Sequence, residues 1–326
     1  MNVVVTGASG FTGTHLTKAL VQAGNRVRIF VRPTSSLEEF TGLDVEVVRG
    51  DIRDPTAIEQ AVKGCEKVFH LAACFREAGV KDAVYHEVHV KGTEHVLRAA
   101  LKHDVTHVIH CSTAGVHGHV EHPPANEEAP FNPGDIYQET KLAGEQCAIS
   151  FHRQTGLPLT VIRPTGIYGP GDSRMLKFYQ LVKRRRFVML GNGKALYHFT
   201  YISDLVEGFL RAANNEQTVG QAYIIGGERY LTLQDWINML ADEVKVPHPK
   251  YRLPVGPFYA AAAVCEAVCI PLGINPPLFR RRVDIFVKDR AFDISKAKRE
   301  LAYQPKVELK TGIHLTADWY RSQGWL

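Results

Sequence analysis

Thr6-Gly7-Ala8-Ser9-Gly10-Phe11-Thr12-Gly13 is the stretch on which the reading of this chain turns. Before it, Val3-Val4-Val5 is a short β-branched run, the pattern of a strand buried on both faces. After it, Phe11 to Gln22 reads as an amphipathic helix. A glycine turn of GxxGxxG spacing between a first strand and a first helix is a cradle for a dinucleotide's phosphates. Gly7 permits the sharp turn, Gly10 lets a pyrophosphate approach the backbone, and Gly13 lets helix and strand pack closely. The helix start at Phe11, Thr12 and Gly13 supplies free N–H groups and the positive end of a dipole.

Outward from this turn, β-branched runs alternate with amphipathic stretches. Strands are predicted at Val3–Thr6, Val27–Val31, Val45–Val48, Val68–Leu71, His107–Cys111 and Leu159–Ile162. Helices are predicted at Phe11–Gln22, Pro55–Val62, Asp82–Leu101 and Asp135–Arg153. This alternation predicts an α/β fold, a doubly wound parallel sheet of the Rossmann type, with ligand at the carboxyl ends of the strands. Residues 1–165 are read as the NAD(P)-binding domain. Residues 166–326 are read mainly as a smaller α+β substrate-binding cap, with a strand near 222–225 returning to the sheet.

Composition agrees with a globular enzyme-sized chain: 326 residues, 45% hydrophobic and 22% charged. A net charge of +5 permits an anionic ligand without indicating a nucleic-acid protein. The six cysteines form no CxxC pair and read as buried thiols of a reducing compartment. Val255 to Leu272, the longest apolar candidate, is broken by Pro257, Glu266 and Pro271, so no membrane span is expected. With the first strand beginning at once, no signal peptide is read, and a cytoplasmic protein is expected.

The second strand ends Ile29-Phe30-Val31-Arg32-Pro33, without the acid that usually accepts from the ribose hydroxyls of NAD. Arg32 stands where a 2′-phosphate would pair with it, which favours NADP over NAD; an arginine stacked on adenine is the alternative. Asp51, followed by Ile52, sits where an acid would bind the adenine amino group, and Leu71-Ala72-Ala73 is small enough for the dinucleotide to lie against. Tyr137 and Lys141, four apart at a helix start, share one face. A phenol is a poor base at neutral pH, and a nearby ammonium favours its phenolate. Ser112 and Thr113, just after the fifth strand, offer hydroxyls to a substrate oxygen.

Taken together these residues resemble the extended short-chain dehydrogenases/reductases, the NAD-dependent epimerase/dehydratase family, over nearly the whole chain. The resemblance rests on Gly7, Gly10 and Gly13, Asp51, His70-Leu71-Ala72-Ala73, Ser112-Thr113, Tyr137 and Lys141. Arg163-Pro164-Thr165-Gly166-Ile167-Tyr168-Gly169-Pro170-Gly171, Tyr201 to Leu205 and Phe292 to Ala297 extend it. It implies that Tyr137 moves the alcohol proton and that Lys141 lowers its pKa and holds the nicotinamide ribose. It also implies that Thr113, with Ser112 beside it, polarises the substrate oxygen and that Pro164 and Ile167 contact the cofactor. A homodimer through Asp82–Leu101 and Asp135–Arg153 is a further implication.

Departures from the family pattern narrow the reaction. His89 stands where the family usually has Asn, and Tyr197-His198 replaces the Arg-Asp of members acting on sugar nucleotides, removing a bidentate partner for a pyrophosphate. Ala114-Gly115 follows Thr113 where dehydratases carry acids. Leu253 to Tyr259, an Ala-rich apolar helix, and Asn275 to Arg282 are similar to the 3β-hydroxysteroid dehydrogenase and dihydroflavonol reductase branch. The reading is therefore an oxidoreductase passing hydride between nicotinamide and a secondary alcohol or ketone, on a small apolar or cyclic substrate under that helix. A nucleotide-sugar epimerase with retained NAD is the alternative, and a non-catalytic dinucleotide sensor the third. His117 and His119 are expected at the substrate entrance, with Tyr197 and Arg282; no metal is expected. Lys183-Arg184-Arg185-Arg186 and Arg280-Arg281-Arg282 are solvated faces, a diphosphate clamp, or a peripheral contact with an anionic membrane.

Overall fold

The computed structural model describes all residues except 76–79, 270, 273 and 275. Ile270 and Asn275 of the carboxyl-terminal segments quoted above thus lie outside the described residues. The strands are β1 (Asn2–Thr6), β2 (Arg26–Val31), β3 (Val45–Arg49), β4 (Lys67–His70), β5 (His107–Cys111), β6 (Leu159–Pro164), β7 (Gly166–Tyr168), β8 (Met189–Leu190), β9 (Leu196–Tyr197), β10 (Phe199–Tyr201), β11 (Ala222–Ile225), β12 (Leu231–Thr232) and β13 (Arg252–Leu253). The helices used below are α1 (Phe11–Gln22), α2 (Pro55–Val62), α3 (Asp82–His86), α4 (Gly92–Lys102), α5 (Ile136–Thr155), α6 (Leu176–Lys183), α7 (Ile202–Ala213), α8 (Leu233–Glu243), α9 (Val255–Cys269) and α10 (Arg280–Val283).

Seven parallel strands form the main sheet in the order β11-β6-β5-β4-β1-β2-β3. Their side chains alternate between two layers. Val3, Val5, Ile29, Phe69 and Ile109 pack with Leu16 of α1 and Phe209 of α7. Val4, Phe30, Val68 and Val108 pack with Ile58 of α2, Val96 of α4 and Ala148 of α5. The inner strands β1, β4, β5 and β6 are buried almost throughout, whereas the edge strand β3 exposes Glu46, Val47 and Arg49. Strand order reverses between β1 and β4, so the loops after these strands diverge and open a crevice at their carboxyl ends.

The helix expected over Asp82–Leu101 is interrupted. One π-helical turn at Glu87–Lys91 separates α3 from α4 and carries His89 to the buried side. Across the chain, Arg163 of β6 and Glu145 of α5 form a fully buried ion pair, and Arg163 also donates to the Glu127 carbonyl at 2.9 Å.

Candidate active site

The glycine turn has the geometry its spacing predicts. Gly7 adopts φ +71°, and a Cβ there would meet Ala72 N at 2.7 Å, so the β1 and β4 loops touch at the crevice. At Gly13 a Cβ would lie 2.2 Å from the Gly7 carbonyl oxygen. Gly10 caps α1 with extended backbone and no side-chain acceptor, which leaves the first-turn amides of Phe11 and Thr12 facing the crevice. Gly13→Ala is therefore expected to force the turn open, weaken dinucleotide binding at least ~10-fold and lower stability by about 1–3 kcal/mol. Dinucleotide titration beside thermal unfolding checks both; unchanged affinity would refute the assignment of the turn.

At the adenosine end, Arg32 is exposed after β2 and close enough to Asp51 to help hold that carboxyl below its usual pKa, the larger cause being the Arg53 guanidinium bonded to it. Sequence reading missed Arg49. Strand register puts it beside Val31, where its guanidinium donates to the Pro33 carbonyl at 2.7 Å and shapes the Arg32 loop. Ser9 donates to Ser35 at 3.1 Å across the same mouth. Ile52 is buried against Gly92 rather than open to the crevice. Leu71, Ala72 and Ala73 follow β4 beside Gly7; Pro164 ends β6, and Ile167 lies in β7. Arg174, also missed, lies over the rings of Phe11 and Phe75 at 5.5 and 5.2 Å and donates to the Ile167 carbonyl at 2.9 Å, roofing the phosphate turn. Its only signal was its place after the Gly169-Pro170-Gly171 turn.

Asp135 caps α5 by accepting from Gln138 N at 2.9 Å, which starts the helix just before Tyr137. One turn later the buried Lys141 donates from Nζ to the Cys111 carbonyl at 2.5 Å, at the end of β5. Burial lowers the Lys141 pKa. The same strand end carries Ser112 and Thr113. Ser112 is buried, and its hydroxyl has no hydrogen-bond partner among the described residues, while Thr113 is half-buried and accepts from Gly115 N at 3.0 Å. Thus α5 and the end of β5 meet through Lys141 and the Cys111 carbonyl, with Ser112 and Thr113 next along the chain and Tyr137 one turn before Lys141.

Behind them lies a buried histidine layer. Thr6 Oγ1 lies 2.8 Å from His70 Nδ1, His70 Nε2 lies 3.0 Å from Thr93 Oγ1, and Thr93 donates to the His89 carbonyl at 2.6 Å. Because the Thr93 hydroxyl donates onward, His70 must donate from Nε2 and accept at Nδ1. His89 then joins two parts of the site, accepting from Cys74 N at 3.0 Å and meeting Thr140 Oγ1 at 2.8 Å, between Tyr137 and Lys141 on α5. Burial, helped by the Lys141 charge, pushes His70 and His89 down to about 3 and His110 well below its usual range. Unfolding therefore takes up protons below pH 6.5, and stability contributed by the neutral rings is lost as pH falls from 6.5 toward 3. The slope is ~1.4 kcal/mol per pH unit for each histidine. Urea unfolding at pH 7 and pH 5.5 should show a clearly lower midpoint in acid; an unmoved midpoint would contradict the layer's neutrality.

A cavity of about 280 Å³ is lined by Asp135 and Gln138, which flank Tyr137 along the chain while Tyr137 itself does not line it, by Met175, by the rings of Phe178, Tyr197, Phe199 and Trp236, by Arg281, Arg282, Lys288 and Arg290, and by Asp284, which pairs with Lys288. Tyr197 and Arg282, expected at the substrate entrance, both line this cavity. His117 does not: it is buried, bonded to the Pro130 carbonyl and facing Arg163, because the strand end turns its ring inward. His119 accepts from Asp289 N at 3.0 Å, and Gly118 between them lines the cavity. The apolar helix α9 does not line the cavity either. Its inner residues pack on Leu190, Val283 and Phe286, because α10 and its following turn stand between α9 and the cavity.

A glycine turn that a side chain would fill, and a lysine of α5 bonded to the end of β5 one turn after a tyrosine, are the features of an enzyme that holds a nicotinamide dinucleotide at the carboxyl ends of a parallel sheet. The family model for the NAD dependent epimerase/dehydratase family matches residues 3–226. The chain belongs to that family, as an extended short-chain dehydrogenase/reductase. It is 28% identical to a 2-alkyl-3-oxoalkanoate reductase of Stenotrophomonas maltophilia, covering 96% of this chain and 97% of the relative. It is 30% identical to the 3beta-hydroxysteroid-dehydrogenase/decarboxylase isoform 1 of Arabidopsis thaliana, covering 97% and 78%. Among solved structures, gox2253 superposes with a TM-score of 0.86 at 28% identity over 99% of both chains. The fold is also shared with a UDP-glucose 4-epimerase of Thermotoga maritima, with a TM-score of 0.80 at 24% identity over 99% of both chains. No helix among the described residues is long and apolar enough to cross a membrane.

Proposed function

We propose that this enzyme carries out net oxidation or reduction, reducing a ketone or oxidising a secondary alcohol on an apolar or cyclic substrate, with NADP favoured over NAD. The aromatic-walled cavity lined by Gln138, the residue after Tyr137 on α5, carries the substrate reading, since desolvation of a ring supplies affinity there. The names of the steroid and oxoalkanoate relatives support it. When bound, the dinucleotide supplies or accepts the hydride. Tyr137 then passes its proton to the carbonyl oxygen, Thr113 with Ser112 donates to that oxygen, and Lys141 keeps charge near the phenol as the proton leaves.

The missing acid after β2 supports NADP. Arg32→Asp is expected to raise KM for NADPH at least ~10-fold while improving use of NADH, checked by steady-state kinetics with both cofactors. Equal kinetics before and after would remove Arg32 from the cofactor site. An epimerase with retained NAD is the second reading, and Arg281 and Arg282 in the cavity lining favour it because guanidinium groups suit a diphosphate. Denaturing the purified protein separates the two. Stoichiometric NAD released would support the epimerase, whereas an empty site that exchanges NADPH, with cofactor consumed mole for mole with substrate, supports net reduction. We also propose a cytoplasmic homodimer joined through α4 and α5, to be checked by sedimentation.

A further inference from the structure

We propose that Arg174 is a clasp for the diphosphate of the bound dinucleotide, and that the carboxyl-terminal helix Leu309–Ser322 sets its position through Tyr320 and Asp172. This deepens the cofactor reading and rests on it, and it holds for net reduction and epimerisation alike. After β7 the chain reverses over α1. Gly169 at φ +148° and Gly171 at φ +95° make the turn, and His15 of α1 donates to the Pro170 carbonyl at 2.9 Å. The turn delivers Arg174 over the ring of Phe11, the first residue of α1. Since α1 has no side-chain cap, a guanidinium here adds charge-assisted donors to a helix end whose own amides already suit an anion.

The guanidinium is held from behind, and one of its nitrogens is left over. Nε donates to Asp172 Oδ1 at 2.7 Å and Nη2 to the Ile167 carbonyl at 2.9 Å, while Nη1 bonds none of the described residues. Asp172 is only 1% exposed, and its Oδ1 also accepts from Arg174 N at 2.9 Å. The backbone carbonyl of Asp172 in turn accepts from the buried Tyr320 hydroxyl. A fork already fixed at two of its three nitrogens loses little freedom when the third meets a phosphate oxygen. A freely solvated arginine has no such frame. The same group lies over Phe75 at 5.2 Å, and Phe75 stands edge-on to Tyr137 at 5.0 Å. The clasp thus joins the loops after β1, β4 and β7 and reaches the phenol of α5.

Binding titrations of the full chain with NADPH, NADH, ADP and adenosine test this. Arg174→Gln keeps a polar head for Asp172 but no charge. It should weaken NADPH, NADH and ADP alike by at least ~10-fold, because all three carry the diphosphate, and leave adenosine within about a factor of two. Arg32→Asp, by contrast, separates NADPH from NADH. Added salt should weaken ADP binding more steeply in the parent than in the glutamine variant. Tyr320→Phe should lower affinity for the same three ligands ~2–10-fold through the lost bond to Asp172. In a parent protein that retains its dinucleotide, these losses should read as faster release. ADP binding unchanged in the glutamine variant, adenosine binding lost as fully as that of ADP, or equal salt slopes would each overturn the clasp. Undiminished binding by Tyr320→Phe would detach the carboxyl-terminal helix from it. A parent chain that binds none of the four ligands would instead remove the cofactor site itself.

Discussion

Tyr137→Phe is expected to lower kcat by ~10²–10⁴-fold while leaving dinucleotide affinity within about a factor of two, the range general acid–base groups contribute. The ring fits where it did, edge-on to the rings of His89 and Phe75 at 5.6 and 5.0 Å, so the variant keeps the packing of a residue only 9% exposed. Only the proton donor is gone. Hydride cannot settle on a carbonyl carbon unless the oxygen gains a proton or an equivalent charge partner, and the Thr113 and Ser112 hydroxyls supply one or two neutral donors at most. Binding titration alongside steady-state turnover measures both quantities. A variant retaining more than a tenth of the turnover would move the proton to another group.

Lys141→Met should be the other severe variant, with a different signature: turnover falling ~10²-fold or more and cofactor affinity falling with it. A methionine matches the stem's length, yet it leaves the Cys111 carbonyl without its ammonium donor and the phenol without its neighbouring charge. The same charge weighs on the buried histidines. Its removal should therefore relax their resistance to protonation and make unfolding slightly less acid-sensitive than in the parent protein. Loss of turnover without any change in cofactor affinity would confine Lys141 to the proton and exclude it from the ribose.

What was readable in advance follows from the range of each interaction. The glycine turn, the alternation of strands with helices and the Tyr137–Lys141 spacing are local, and each residue type there has a single steric or chemical reason. The π-turn at Glu87–Lys91 inserts one residue into a helical repeat, a shift too small to stand out against an apolar pattern already broken by polar residues. Arg49 depends on register between β2 and β3, and Arg174 on a loop crossing another loop. The inward His117 ring reflects a buried arginine from β6, contributed 46 residues later. For α9 the failure has another cause: a helix apolar on every side carries no period to say which side is covered.

The placement of β11 and α7 bears on how the protein is made. A nascent chain that has emerged as far as β6 holds six of the seven main strands, yet the helix that covers one face with α1 and the strand that closes the β6 edge are still to come. At ~5–20 residues per second the ribosome needs several more seconds to deliver them. During that interval the Val5, Phe69 and Ile109 face lacks Phe209, and the β6 edge is open to pairing with other chains. Synthesis thus exposes a half-finished sheet that a chaperone can hold until translation passes Ile225.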